Sequence, residues 1–218
     1  MTIAIKVLLA DDHTLVRQSL AQVLNQVSSL IVVAEARTAD EAISAALKHH
    51  PDVAVLDIDM PGVAAFDAAG TIVARCPKTR VLFLSAFTHD RYIEAALRCG
   101  AMGYITKNEA PERVLRAIRA VASGQTYFSP EVAARLVIDA DGVHLGTEIK
   151  SKLALLTTRE FEVLRYIAKG MSKKEIATTM HLSVKTVENH ASSVMSRLEI
   201  HDRVELARFA IREGLVEA

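Results

Sequence analysis

The feature that most narrows what this chain can fold into is an alternation. Over the first 122 residues, short apolar runs of strand length take turns with amphipathic stretches of helical period. The runs are IKVLLA (5–10), LIVVAEA (30–36), DVAVLD (52–57), RVLFLSA (80–86) and MGYITK (102–107). The amphipathic stretches lie near 14–27, 39–49, 64–75, 90–98 and 110–122. In the first of these, Leu20, Val23, Leu24 and Val27 fall on one face. Strands that alternate with helices imply right-handed crossovers and a parallel sheet covered on both faces. Five such units in about 120 residues predict an α/β fold with a doubly wound, five-stranded parallel sheet.

The pattern changes further along. SGQTYFSPEVAARL holds a Ser-Gly turn and then Ser129-Pro130, a cap and first residue for a short helix. DADGVHLGTEIKSK lacks periodicity and reads as linker. Its DADG is a fragment of a calcium-loop pattern without the third acid and the final glutamate. From 156 onward the signal is purely helical. Thr157 and Glu160 form a capping-box start, Gly170 ends that helix, and further helices follow near 173–180, 184–198 and 203–214. The expected division is 1–122 for the α/β domain, 123–152 for a linker with a short helix, and 153–218 for a small all-α domain.

Lys and Arg total 26, as do Asp and Glu, so bulk charge points to no nucleic-acid or membrane partner. Residues 151–218 carry 11 basic and 9 acidic side chains, so any DNA-binding role rests on where those charges lie. Cys76 and Cys99 have no metal spacing and fit free thiols in a reducing compartment. The N-terminus lacks a basic region followed by a long apolar one, and no apolar run approaches a membrane span. The expectation is a soluble cytoplasmic protein.

The chemistry concentrates at strand ends. In VLDIDMPG (55–62) an apolar strand stops on Asp57, with Asp59 two residues on and a Pro61-Gly62 turn behind it. The first strand likewise runs into Asp11-Asp12, a third ends at Ser85 and a fourth at Lys107. In a parallel α/β sheet these ends share one crevice. Two carboxylates at 4 Å repel by about 4 kcal/mol at an effective dielectric near 20. A hard divalent cation such as Mg2+ offsets that repulsion. One accessible carboxylate, a lysine, a hydroxyl and a metal suit phosphoryl transfer, with the carboxylate as nucleophile. Each residue alone has a plainer reading, with Asp12 as a cap for the first helix.

Taken together, ADDH (10–13), DIDMPG (57–62), LSA (84–86) and YITK (104–107) resemble the receiver domain of bacterial response regulators, over about 1–122. The resemblance implies that Asp57 is the phospho-acceptor. It implies Mg2+ held by Asp11, Asp12, Asp57 and the Asp59 main-chain carbonyl. Ser85 would bond the phosphoryl group, Lys107 would pair with it, and Tyr104 would be the switch aromatic. The loop VAAFDAAG and Asn108 after Lys107 depart from the usual receiver pattern.

In the tail, two helices joined by a short turn form a helix-turn-helix. Val184, Val187, Ala191, Val194 and Leu198 make one apolar stripe, and Lys185, Glu188, Asn189, Ser192 and Ser196 face the other way. Lys173, Lys174, Lys185, Arg197 and Arg203 surround that face as phosphate partners. The stretch 156–190 resembles the LuxR-type DNA-binding domain, over about 153–214. That resemblance implies phosphate contacts by Lys185 and Thr186 and base contacts by Glu188, Asn189 and Ser192. On the last helix, Val204, Ala207 and Ile211 form one stripe and Leu206 and Phe209 another. Leu206 and Phe209 are taken as the dimer contact.

The whole resembles a NarL/FixJ-type response regulator. Such a protein is not an enzyme. It takes a phosphoryl group from a sensor histidine kinase, forms a homodimer when active, and binds inverted-repeat sites on double-stranded DNA, with no membrane partner. Two alternatives stay open from residues alone. One is a phosphorylation-independent regulator whose receiver is an interaction module. The other is a haloacid-dehalogenase-type magnesium phosphatase, suggested by Asp57-x-Asp59 but lacking a suitable acidic pair after Lys107.

Overall fold

The computed structural model describes residues 4–139, 142–146 and 152–216. The chain divides into two compact units. The first carries the expected alternation: β1 (Ile5–Ala10), α1 (Thr14–Asn25), β2 (Leu30–Ala36), α2 (Ala39–His49), β3 (Val53–Leu56), α3 (Ala65–Arg75), β4 (Arg80–Ser85), α4 (Asp90–Arg98), β5 (Gly103–Thr106) and α5 (Pro111–Ala122). All strands of this sheet are parallel, in the order β2-β1-β3-β4-β5 and then a sixth strand, β6 (Tyr127–Phe128).

The sixth strand corrects the five-strand expectation. Its two residues pair only with Gly103 and Tyr104, and two residues are too few to show a period. The close approach depends on Gly103, where a Cβ would strike the Tyr127 carbonyl. Beyond it come α6 (Pro130–Ala133) and an antiparallel pair, β7 (Leu136–Asp139) with β8 (Gly142–Leu145). Part of the expected linker is thus a hairpin. The DADG segment includes residues 140–141, which lie outside the described residues.

Side chains alternate across the central strands. Val7, Leu9, Val53, Val55, Leu82, Leu84 and Ile105 pack with Leu24 of α1 and with Val114, Ile118 and Val121 of α5. Phe83 turns to the opposite face, where its ring meets Phe66 of α3 at 5.1 Å. Each such side chain, fully buried, contributes roughly 1.5–3 kcal/mol. Local signals set the helix ends. Thr38 caps α2 by accepting from the Glu41 N–H, and Pro111 opens α5.

The second unit holds a 3-10 turn (Lys152–Leu155), α7 (Thr158–Ala168), α8 (Lys173–Thr179), α9 (Val184–Leu198) and α10 (Arg203–Arg212). Capping boxes start α7 (Thr157 with Glu160) and α8 (Ser172 with Glu175). Gly170, at φ 80°, takes the left-handed conformation that ends α7. On α9, Val187, Ala191, Val194 and Leu198 are buried as expected, whereas Val184 is 39% exposed.

The two stripes of α10 are reversed from expectation. Leu206 and Phe209 are buried inside this unit, at 1% and 8% exposure, and close its core. Val204, at 68%, and Ile211, at 39%, face outward. Side chain for side chain, leucine and phenylalanine remove on average more apolar surface from water than the valine, alanine and isoleucine of the other stripe, so they take the interior. Among the described residues, no helix is long and apolar enough to cross a membrane.

Candidate phospho-acceptor site and nucleic-acid face

The strand order reverses between β1 and β3, and the register there places the acids. Ala10 pairs with Leu56, so the next residues, Asp11 and Asp57, leave the sheet side by side. The Asp57 N–H donates to the Ala10 carbonyl at 2.8 Å. Both carboxylates are buried, at 5% and 2% exposure. On the other side Ser85 pairs with Thr106, and the Lys107 N–H donates to the Ser85 carbonyl at 2.8 Å. The sheet thereby brings Asp11, Asp57, Ser85 and Lys107 to one end, as expected.

Lys107 bridges the two buried acids. Its Nζ lies 2.9 Å from Asp57 Oδ2 and 2.7 Å from Asp11 Oδ2. Asp57 Oδ1 accepts from the Ile58 N–H at 2.8 Å. Burial pushes the Asp57 carboxyl above the ordinary carboxylate range, and the attraction of Lys107 only partly offsets it. Burial alone would lower the lysine, but Asp57 and Asp11 outweigh it and hold Lys107 above its ordinary value. Asp12 stands exposed at the mouth, its carboxyl also raised, first by partial burial.

The plainer reading of Asp12 as the cap of the first helix does not hold. His13, not Asp12, occupies the cap position, with no side-chain capping bond. Asp11 Oδ1 instead accepts from the His13 N–H at 2.8 Å, and the His13 ring Nδ1 sits 2.9 Å from Asp12 Oδ1. Asp11, Asp12, His13 and Asp57 each offer a ligand atom, all within 4.8 Å of one another. The three carboxylates suit a hard cation such as Mg2+. His13 had no assigned role from sequence, although it belongs to the ADDH motif. Arg17 was also missed. It is buried, donates from Nη1 to the Asp11 carbonyl at 2.6 Å, and pairs through Nε with Glu35 at 3.0 Å.

The remaining expected residues line the same end. Ser85 is fully buried, and its Oγ accepts from the Phe87 N–H at 3.0 Å. The Tyr104 hydroxyl donates to the Phe87 carbonyl at 2.6 Å, and burial pushes its pKa upward. Asp59 is half-buried at the rim. Gly62, at φ 104°, makes the turn behind it, where a Cβ would collide with the Asp40 carboxylate. That carboxylate accepts from the Val63 N–H at 3.2 Å.

The second unit presents a different surface. On α9, Lys185, Asn189 and Ser192 are exposed, while Thr186 and Glu188 are half-exposed. Thr186 Oγ1 lies 2.8 Å from the Ser183 Oγ that caps the helix. Lys173, at the start of α8, donates to Glu188 Oε1 at 3.1 Å, and Lys185 lies 3.7 Å from Glu188 Oε2. Arg197 is engaged within the unit, donating to the Leu155 carbonyl at 2.6 Å and lying 3.4 Å from Glu160. Arg203 donates to the Met171 carbonyl.

A doubly wound module with an acid-and-lysine crevice, followed by a helix-turn-helix with a polar second helix, defines a phospho-acceptor module joined to a DNA-binding module. Comparison with known proteins agrees. Residues 7–119 match the response regulator receiver domain, and residues 154–210 match the bacterial regulatory proteins of the luxR family. The oxygen regulatory protein NreC of Staphylococcus epidermidis is 36% identical over 216 residues, 97% of this chain and 99% of NreC. The fold matches the RcsB response regulator of Salmonella typhimurium at TM-score 0.73 and 23% identity, over 97% of this chain and 98% of that one. A structure of two RcsB dimers bound to two parallel DNAs matches at TM-score 0.58 and 25% identity, over 95% and 98%. The chain belongs to the LuxR/NarL family of two-component response regulators. It is a DNA-binding transcription regulator switched by phosphorylation, which sets aside the phosphatase alternative.

Proposed function

We propose that Asp57 is the phospho-acceptor and that α9 is the DNA-reading helix. The observation that carries the first part is the bridge from Lys107 to Asp57 and Asp11, which holds a buried carboxylate at the carboxyl end of the sheet. Asp57 attacks the phosphorus of a phosphodonor, a P–O bond forms to its carboxylate, and the donor departs with its electron pair. Lys107 neutralises the incoming phosphoryl oxygens, and Ser85 donates its hydroxyl to one of them. Mg2+, held by Asp11, Asp12, Asp57 and the Asp59 main-chain carbonyl, supplies further charge neutralisation when bound.

The phosphoryl group adds about −1.5 to −2 charge beside Ser85. Ser85 then trades its bond to the Phe87 N–H for the phosphoryl oxygen, and Tyr104, bonded to the Phe87 carbonyl, follows that loop. The result is a population shift towards an active dimer. A sensor histidine kinase is the donor, and the protein works in the cytoplasm. The receiver spans 1–122, the connecting segment 123–152 and the DNA-binding domain 153–218.

On DNA, Lys173, Lys185 and Thr186 meet phosphates. Asn189 reads adenine, Glu188 accepts from cytosine and Ser192 supports them. The RcsB dimers on DNA support a DNA-bound dimer, and the outward Val204 and Ile211 make α10 suited to that contact; two-fold symmetry then matches it to inverted-repeat sites. The test is intact mass after incubation with acetyl phosphate and Mg2+, beside Asp57→Asn, with oligomeric state read on the same samples. One added phosphoryl group, absent from the variant, is expected. Equal incorporation in the variant overturns the assignment.

A further inference from the structure

Lysine 173 and lysine 185 come from different helices of the helix-turn-helix, yet they converge on one acid. Glu188 gives one carboxylate oxygen to each, at 3.1 Å and 3.7 Å. The three side chains remain in contact with water, with exposures of 49%, 80% and 38%. Lys173 is thus hydrogen-bonded to one oxygen, and Lys185 lies at ion-pair distance from the other. We propose that Glu188 is a built-in competitor for DNA phosphates, which holds Lys173 and Lys185 and so lowers affinity for DNA of arbitrary sequence. The inference rests on α9 being the DNA-reading helix.

The physics runs through exchange. Sequence-independent affinity comes from lysine and arginine displacing counterions condensed on the phosphate backbone. A lysine already paired to a carboxylate gains less from a phosphate, because one attraction replaces another. Two lysines share one acid here, so a single substitution frees both. The acid itself also enters the negative potential of the groove, and on DNA that offers no donor at that position it loses its lysines without replacement. The Lys173 hydrogen bond holds the Glu188 carboxyl below its ordinary range, so it stays charged at neutral pH. Glu188 thereby sharpens the choice between sites by penalising wrong ones.

The experiment measures binding of the full-length chain to a labelled duplex of scrambled sequence across a salt series. Four forms are compared: wild type, Glu188→Gln, Lys173→Gln/Lys185→Gln, and the triple variant. Glu188→Gln is expected to raise affinity roughly three- to tenfold at low salt and to steepen the salt slope by up to about two units. In the Lys173→Gln/Lys185→Gln background the same change is expected to do little. An equal gain in both backgrounds overturns the proposal, because Glu188 would then act only as a distant repulsive charge. No gain in either also overturns it. If the double lysine variant binds DNA as the wild type does, the assignment of α9 to DNA falls with it, an outcome separate from the first two.

Discussion

Lys107 and Lys185 are the same residue type in two settings. The first has a side chain 16% exposed and lies within 3 Å of two buried carboxylates. The second is 80% exposed and lies 3.7 Å from one half-exposed acid. Lys107 compensates charges that the fold has already taken out of water, so it belongs to the electrostatics of folding as well as to the chemistry. Lys185 compensates nothing buried, and only the half-exposed Glu188 competes with a partner for its charge. A functional side chain in the receiver crevice therefore carries structural weight, whereas one on the α9 face carries little.

The sharpest way to break this contrast is to delete each lysine. Lys107→Met leaves Asp11 and Asp57 buried, adjacent and unpaired, a situation that costs about 3–5 kcal/mol. Lys185→Ala is expected to change stability by no more than about 0.5 kcal/mol. Urea unfolding of both variants checks this, and equal losses would erase the distinction.

A second test applies the same logic within α10. Leu206→Ala opens the core of the helical unit and is expected to cost about 3 kcal/mol. Val204→Ala, on the outward stripe, is expected to leave stability nearly unchanged and to weaken dimerisation instead. Thermal unfolding, with sedimentation of the phosphorylated protein, separates the two effects.

Mg2+ sharpens the comparison from the other side. Three carboxylates crowd the crevice and Lys107 offsets only part of their repulsion, so a bound divalent ion stabilises the receiver. At a tenfold excess over its Kd the gain is about 1.4 kcal/mol. A rise in Tm with Mg2+ that disappears in Asp12→Asn is the expected result. A rise that survives the substitution removes Asp12 from the ligand set.

These differences also account for what the sequence disclosed. The five central strands and five flanking helices follow from alternation and caps, both local signals, and the crevice follows from strand ends that topology brings together. Residues at the end of a buried strand stand out because a carboxylate there is out of place. β6 was not legible, since two residues paired by Gly103 carry no period of their own. The hairpin β7–β8 had one clue in the Asp141-Gly142 dipeptide, which favours tight turns. Nothing in the local pattern marks Arg17, and only the packing of α1 shows it reaching the Asp11 carbonyl. The stripes of α10 were visible, but which one faces inward depends on α7, with which that helix packs. The hold of Lys173 on Glu188 joins residues 15 positions apart in sequence, beyond the reach of any helical pattern.

The smallest effect is the most informative about the exposed face. Lys185→Ala should weaken binding to all DNA alike, because a phosphate contact carries no sequence information. A lysine that neutralises one phosphate contributes about 0.9 to the slope of log K against log salt on duplex DNA. Glu188 already takes part of that charge, so the slope should fall by less than one unit. A fall of a full unit would mean that Lys185 behaves as a free cation and that its pairing with Glu188 has no energetic consequence. An unchanged slope would remove Lys185 from the interface and leave the α9 face without its nearest phosphate partner.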